Sequence, residues 1–186
     1  MPATLAWDTV PVPAPMRAVT FAVSETGLVG TTFGAGRAGV RTASGQLGEP
    51  LVRDPARTDP IAEQLAAYFA GDLAAVNVLL DWRLTAGVQQ TVLLALFETV
   101  PFGQTVTYGE LARRSGAFDE ALGEPGVTGA RSVGGIMGSN PIPIIVPCHR
   151  VLASNGLGGF GGGLELKRQL LELEGILPPS LDLDFG

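Results

Sequence analysis

The sequence predicts a mixed α/β chain in two parts, strand-rich first and mostly helical afterwards. Three observations carry that expectation. The run MRAVTFAVSETGLVGTTFG (16–34) alternates apolar and polar positions around Glu25-Thr26-Gly27, the pattern of a β-hairpin. The run GVQQTVLLALFETV (87–100) repeats apolar residues at helical spacing through Val88, Val92, Leu96 and Val100. The run LELKRQLLELEG (164–175) is amphipathic and closes on Gly175, a helix-stop residue.

The remaining elements follow in chain order. Residues 1–15 are proline-rich and are expected to form an irregular arm. Residues 34–59 show no clear period and read as loop with one short strand. In DPIAEQLAAYFAG (59–71), Asp59 is placed as the N-cap and Pro60 in the first turn. Ile61, Leu65, Tyr68 and Phe69 form one stripe, and Gly71 is the stop. VNVLLDWRL (76–84) reads as a strand, with a boundary at Thr85–Gly87 that gives subdomains 1–86 and 87–177 and a tail 178–186.

After the turn PFGQ, the run TYGELARRSG opens with Thr107 and, three residues on, Glu110, a capping-box pattern. AFDEALGEPGVTG (117–129) reads as a loop, and ARSVGGIMGSN (130–140) as a short helix. Gly134, Gly135 and Gly138 each cost that helix about 1 kcal/mol relative to alanine. Something is therefore expected to approach its backbone closely. PIPIIVPCHRV (141–151) reads as extended, and SNGLGGFGGG (154–163) as a turn region.

Composition narrows the function classes. No run of about 18 apolar residues marks a membrane span. The first residues lack a basic segment followed by an apolar core, so no secretory signal is expected. One cysteine cannot close an internal disulfide, which fits a reduced, cytoplasmic setting. One Cys and one His fall short of the roughly four ligands of a structural zinc, so no metal is expected. The net charge of −6 argues against broad nonspecific nucleic-acid binding. Between Val88 and Gly175 six Arg/Lys face eight Asp/Glu, so no basic stripe offsets it.

The chemistry-bearing pair is Cys148-His149, the only cysteine beside the only histidine. A thiol attacks only as thiolate and needs a base or a positive field. Neighbours on an extended strand point to opposite faces, so the pair cooperates only if the chain turns after Pro147 or a water bridges them. An acid would orient the imidazole, and spacing does not choose among Glu165, Glu172 and Glu174. The competing reading is a buried structural thiol beside a surface histidine.

The context favours reactivity. NPIPIIVPCHRV, with YGELA upstream and GGLELKRQLLELEG downstream, resembles the O6-alkylguanine-DNA alkyltransferases over about Val88–Gly175; QLAAYFAGDL is a looser match in the first half. The resemblance implies an RNase H-like α/β N-terminal subdomain followed by a mostly helical DNA-binding subdomain with a helix-turn-helix. It implies irreversible, once-only transfer of an alkyl group from guanine O6, or from thymine O4, to Cys148. His149 would be the base acting through a water, Glu174 the acid holding it, and Asn140 the brace of the active-site turn. YGELA and ARSVGGIM resemble the two DNA-binding helices, the second lying in the minor groove.

By the same resemblance Arg131 would fill the space of the flipped nucleotide. Tyr108 would push the phosphate and give a proton to the departing base. Gly134, Gly135 and Gly138 would let the duplex approach. Met137, Pro143, Val151, Phe160 and Gly161 would line the guanine pocket. The implied partner is double-stranded DNA containing O6-alkylguanine, bound by a monomer without any cofactor.

Several positions depart from the family pattern. The 117–129 segment is longer than the usual turn and carries Asp119, Glu120 and Glu124. Phe160 stands where tyrosine is common, Val88 and Leu93 replace a Phe and a Trp, and Gly138 lies where some relatives have arginine. Two rival readings are a non-catalytic damage sensor, against which the presence of Cys148 argues, and a Cys-His-Glu hydrolase.

Overall fold

The computed structural model describes residues 2–72, 77–118 and 127–179. The first half is built on a four-stranded sheet ordered β3-β2-β1-β4, from β1 (Leu5–Pro11), β2 (Ala18–Val23), β3 (Leu28–Phe33) and β4 (Leu51–Val52). β1–β2 and β2–β3 are antiparallel, and β1–β4 is parallel. The hairpin read from 16–34 is β2–β3. Its central strand β2 is buried along its whole length.

Alternation sorts the side chains of β2. Val19, Phe21 and Val23 face the main core with Leu65, Tyr68 and Phe69 of α2 (Pro55–Phe69). Ala22 faces a smaller cluster with Ala43 of α1 (Arg41–Leu47). The sheet is thus covered on both faces.

Four expectations for the first half need correction. Residues 1–15 are not an arm: Leu5 and Ala6 are fully buried in β1, and the prolines only bracket the strand. The 34–59 stretch holds α1 in addition to its short strand. α2 begins at Pro55 with Asp54 before it, so the first of two Asp-Pro pairs opens the helix and Pro60 lies inside it. Within 77–84 there is no strand but a single bridge, Leu80 to Leu28, and Leu79 is 79% exposed.

The second half holds α3 (Gly87–Thr99), β5 (Val106–Thr107), α4 (Tyr108–Ser115), α5 (Val127–Gly138), β6 (Val151–Leu152) and α6 (Leu164–Leu173). Thr107 Oγ1 accepts from the Glu110 amide at 3.2 Å, so the N-cap half of the capping box is realised at α4, while the Glu110 carboxylate pairs with Arg114 rather than with the Thr107 amide. α4 and α5 pack together at Gly129, where a Cβ would sit 3.1 Å from the Ala112 side chain. A Cβ built on Gly134, Gly135 or Gly138 meets nothing within 4 Å, so that face of α5 is open. The acidic residues of the 117–129 loop lie outside the described residues.

Residues 141–147 are not extended. Val146 N–H bonds back to Ile142 O at 2.9 Å, and Ile144 takes a left-handed φ of 77°. β3 makes this possible. The Thr31 amide donates to Pro141 O (3.0 Å) and its hydroxyl to Pro143 O (2.6 Å), so the edge strand of the first half satisfies carbonyls the turn exposes. Among the described residues no helix is long and apolar enough to cross a membrane.

Candidate active site

Cys148–Arg150 form one turn of 3₁₀ helix after Pro147, so the chain does bend at the pair. Asn140 ties the approach: its Nδ2 donates to Val146 O (2.8 Å) and its Oδ1 accepts from the Ile142 amide (3.0 Å). The same side chain also favours the ionised form of the Cys148 thiol. Cys148 is 5% exposed but forms part of the wall of a cavity of about 750 Å³.

Behind that wall lies a buried charge cluster. His149 Nε2 is 2.8 Å from Glu174 Oε1, and both side chains are fully buried. Arg150 grips the same carboxylate at two points, Nε to Oε2 (2.8 Å) and Nη2 to Oε1 (2.9 Å). Its third nitrogen donates to Val100 O (2.8 Å). Tyr68 adds a hydroxyl donor to Oε1 at 2.9 Å. Such a set of partners is what a buried carboxylate needs to stay charged.

The protonation states follow. Burial would raise the Glu174 carboxyl, but the bonds from His149 and Arg150 outweigh it and hold the group at about 2. Burial lowers the His149 imidazole against the pull of Glu174, leaving it neutral at pH 7. An ionised Glu174 requires the proton on Nε2, which leaves Nδ1 as an acceptor. Nδ1 is buried and has no partner among the described residues. Burial pushes the Cys148 thiol up, against Asn140, the amides of Cys148 and His149, and the Lys167 charge. The resting pair is a neutral thiol and a neutral imidazole.

Lys167 is the second buried cation. Its Nζ donates to the carbonyls of Val151 (2.6 Å), Leu157 and Gly159 (3.1 Å), pinning the loop that forms one side of the cavity. Burial brings its amine down to about 8. Tyr108, at the start of α4, donates its hydroxyl to Gly159 O at 3.1 Å and lines the cavity. Burial and the nearby Cys148 raise its phenol.

The structure gathers Cys148, Tyr108, Arg131, Gly134, Met137, Gly138, Phe160 and Gly161 around the one cavity. His149, Glu174 and Asn140 stand behind it. Pro143 and Val151 do not line it. Pro143 turns its carbonyl to Thr31, and Val151 is buried in β6 opposite Val106. Gly135 is also outside the lining, on the exposed side of α5.

Sequence reading missed Arg150, Tyr68 and Lys167. Lys167 did leave a signal: it stands three and four residues before Leu170 and Leu171, on the apolar face of α6. Tyr68 lay on the stripe read as core, and nothing marked its hydroxyl.

Comparison with known proteins is consistent with this geometry. Residues 87–176 match the family model for the DNA-binding domain of 6-O-methylguanine DNA methyltransferase. The chain is 48% identical over 128 residues to a methylated-DNA–protein-cysteine methyltransferase of Mycobacterium tuberculosis, covering 68% of this chain and 71% of the relative. A Salmonella typhimurium protein of the same name is 43% identical over 118 residues, 63% of each chain. The fold aligns with the crystal structure of Mycobacterium tuberculosis OGT in complex with DNA at a TM-score of 0.70 and 38% identity, over 91% of this chain and 92% of that one. An O6-methylguanine-DNA methyltransferase from Pyrococcus kodakaraensis aligns at 0.62 and 25% identity, over 92% and 99%.

Proposed function

The chain belongs to the methylated-DNA–protein-cysteine methyltransferases, which repair DNA by moving a methyl group directly onto a cysteine, and from that premise we propose how this chain does it. Cys148 is the acceptor, and its substrate is O6-alkylguanine in duplex DNA, flipped into the cavity. The carrying observation is the placing of one thiol in the cavity wall with a neutral histidine and an ionised carboxylate directly behind it.

The thiol is protonated at rest, so a base must act at the moment of transfer. A water between Sγ and Nδ1 of His149 carries the proton to the imidazole. Glu174 stabilises the imidazolium that forms. The thiolate attacks the alkyl carbon, the C–S bond forms, and the carbon–O6 bond breaks with its electron pair left on guanine. Tyr108 protonates the departing base after releasing Gly159 O, and the proton held on His149 restores the balance. The thioether has no good leaving group, so each molecule acts once.

α4 and α5 present the open glycine face of α5 and the exposed Arg131 to the duplex. We assign the protein to the cytoplasm, where its lone cysteine stays reduced, and to a monomeric state. The test is intact mass after mixing with an O6-methylguanine duplex. One added methyl on the Cys148 peptide is expected, with none for Cys148→Ala or Cys148→Ser. An unmodified mass with tight lesion binding would point to the sensor reading, and repeated ester turnover to a hydrolase.

A further inference from the structure

We propose that Tyr68, in the N-terminal half, is a positioning residue for alkyl transfer, holding Glu174 Oε1 against His149. The inference rests on the assignment of Cys148 and His149 above. Oε1 receives three donors: His149 Nε2 at 2.8 Å, Arg150 Nη2 at 2.9 Å and Tyr68 OH at 2.9 Å. A carboxylate oxygen has about two lone-pair directions. Oε1 is therefore saturated, and the carboxylate cannot swing away from the imidazole without breaking a buried bond.

Tyr68 is itself fixed. It is 3% exposed on α2, and Phe69 packs edge-on against its ring at 5.1 Å. Burial and the Glu174 charge push its phenol well up, so the hydroxyl keeps its proton and remains a donor. It has no route to the substrate. It lines a separate cleft of about 150 Å³ together with Arg150, Phe97, Phe102 and Pro147, and no residue of that cleft lines the Cys148 cavity. Any effect on the reaction must pass through Glu174.

The test compares second-order rates of Cys148 alkylation by free O6-benzylguanine, which needs no DNA contact, read by intact mass. Four proteins are needed: wild type, Tyr68→Phe, His149→Ala and the double variant. Tyr68→Phe keeps the ring and should slow the reaction roughly tenfold, the lower end of what one hydrogen bond to a charged group contributes. In the His149→Ala background it should change the rate less than about twofold, because two changes on one relay are not additive.

Leu65→Ala, in the same helix but with no bond to the carboxylate, serves as the destabilised control and should leave the rate unchanged. Three results overturn the proposal: no loss in Tyr68→Phe, the same loss in both backgrounds, or an equal loss in Leu65→Ala. If His149→Ala reacts like wild type, the relay itself is wrong and this proposal falls with it. If His149→Ala is slow and the Tyr68→Phe loss persists in it, only the Tyr68 inference falls.

Discussion

Arg150 and Glu174 form a two-point ion pair in the interior, Nε to Oε2 at 2.8 Å and Nη2 to Oε1 at 2.9 Å, with the carboxylate fully buried. The residue directly after the Cys-His pair thus neutralises the charge that the histidine leans on. Removing one partner of a buried pair leaves the other uncompensated, at a cost of about 3–5 kcal/mol. Arg150→Met should lose stability of that order in urea unfolding. Arg150→Lys should rescue little of it, because an ammonium does not reproduce the fork. An Arg150→Lys variant as stable as wild type would refute the two-point account.

The same cluster sets acid sensitivity. His149 is held below 6.5 and Glu174 below 4.5, at about 2, so below each of these values the unfolded chain binds protons that the folded chain refuses. Both groups contribute stability that is present at neutral pH and lost on acidification. The His149 part fades as pH falls below 6.5, and the Glu174 part between about 4.5 and 2. Urea midpoints across pH should show both steps, and Glu174→Gln should shrink the lower one to the share of Asp81, whose carboxyl is also lowered, despite burial, by bonds from Arg83 and Ser24. A Glu174→Gln profile parallel to wild type below pH 4.5 would contradict the assignment.

Lys167 predicts opposite trends for stability and rate. Its amine is lowered from 10.5 to about 8, so between these values the unfolded chain binds the extra proton. Its contribution to stability therefore rises with pH in that window. The folded protein meanwhile loses a positive charge that favours the Cys148 thiolate. Alkylation by O6-benzylguanine should bend downward above about pH 8 in the wild type. Lys167→Met should be slower throughout and lack the bend. A bend that survives in Lys167→Met would assign it to another group.

What was legible in the sequence divides along physical lines. Local signals held: the β2–β3 alternation, the Thr107 cap and the Gly175 stop are written within a few residues. Asn140, His149 and Glu174 were named from the motif frame around Cys148, and their side chains do meet at the turn that carries it. Long-range satisfaction was not legible. The 141–147 turn depends on Thr31, more than a hundred residues earlier, and Glu174 depends on Tyr68 from the other half. Pro143 and Val151 were misplaced for the same reason, since the side a turn residue faces is decided by what it packs against.

Gly158 offers a test of the loop that carries Tyr108's acceptor. Its φ is +71°, and a Cβ there would stand 2.8 Å from Tyr108 Cε2 and 3.1 Å from the Ala153 amide nitrogen. Gly158→Ala should cost about 1–2 kcal/mol of backbone strain and displace the ring. Transfer should fall roughly tenfold or more if Tyr108 protonates the departing base, since general acid catalysis is worth about that or more. Gly156→Ala, where nothing lies within 4 Å and φ is ordinary, is the control. Equal rates for the two variants would remove Tyr108 from the mechanism.

Replacing Arg131 would separate base flipping from chemistry. It is exposed on α5 at the cavity, whereas Cys148 and its relay are buried and do not use it. Extruding a base from duplex costs a few kcal/mol, which a side chain filling the gap offsets in part. Arg131→Ala should therefore slow repair of an O6-methylguanine duplex by roughly tenfold to a hundredfold, about 1–3 kcal/mol. Reaction with free O6-benzylguanine needs no extrusion and should stay within about twofold of wild type. A single-stranded lesion, already unstacked, should fall between the two. If free base and duplex lose equally, Arg131 shapes the pocket instead of the DNA, and the open face of α5 needs another account.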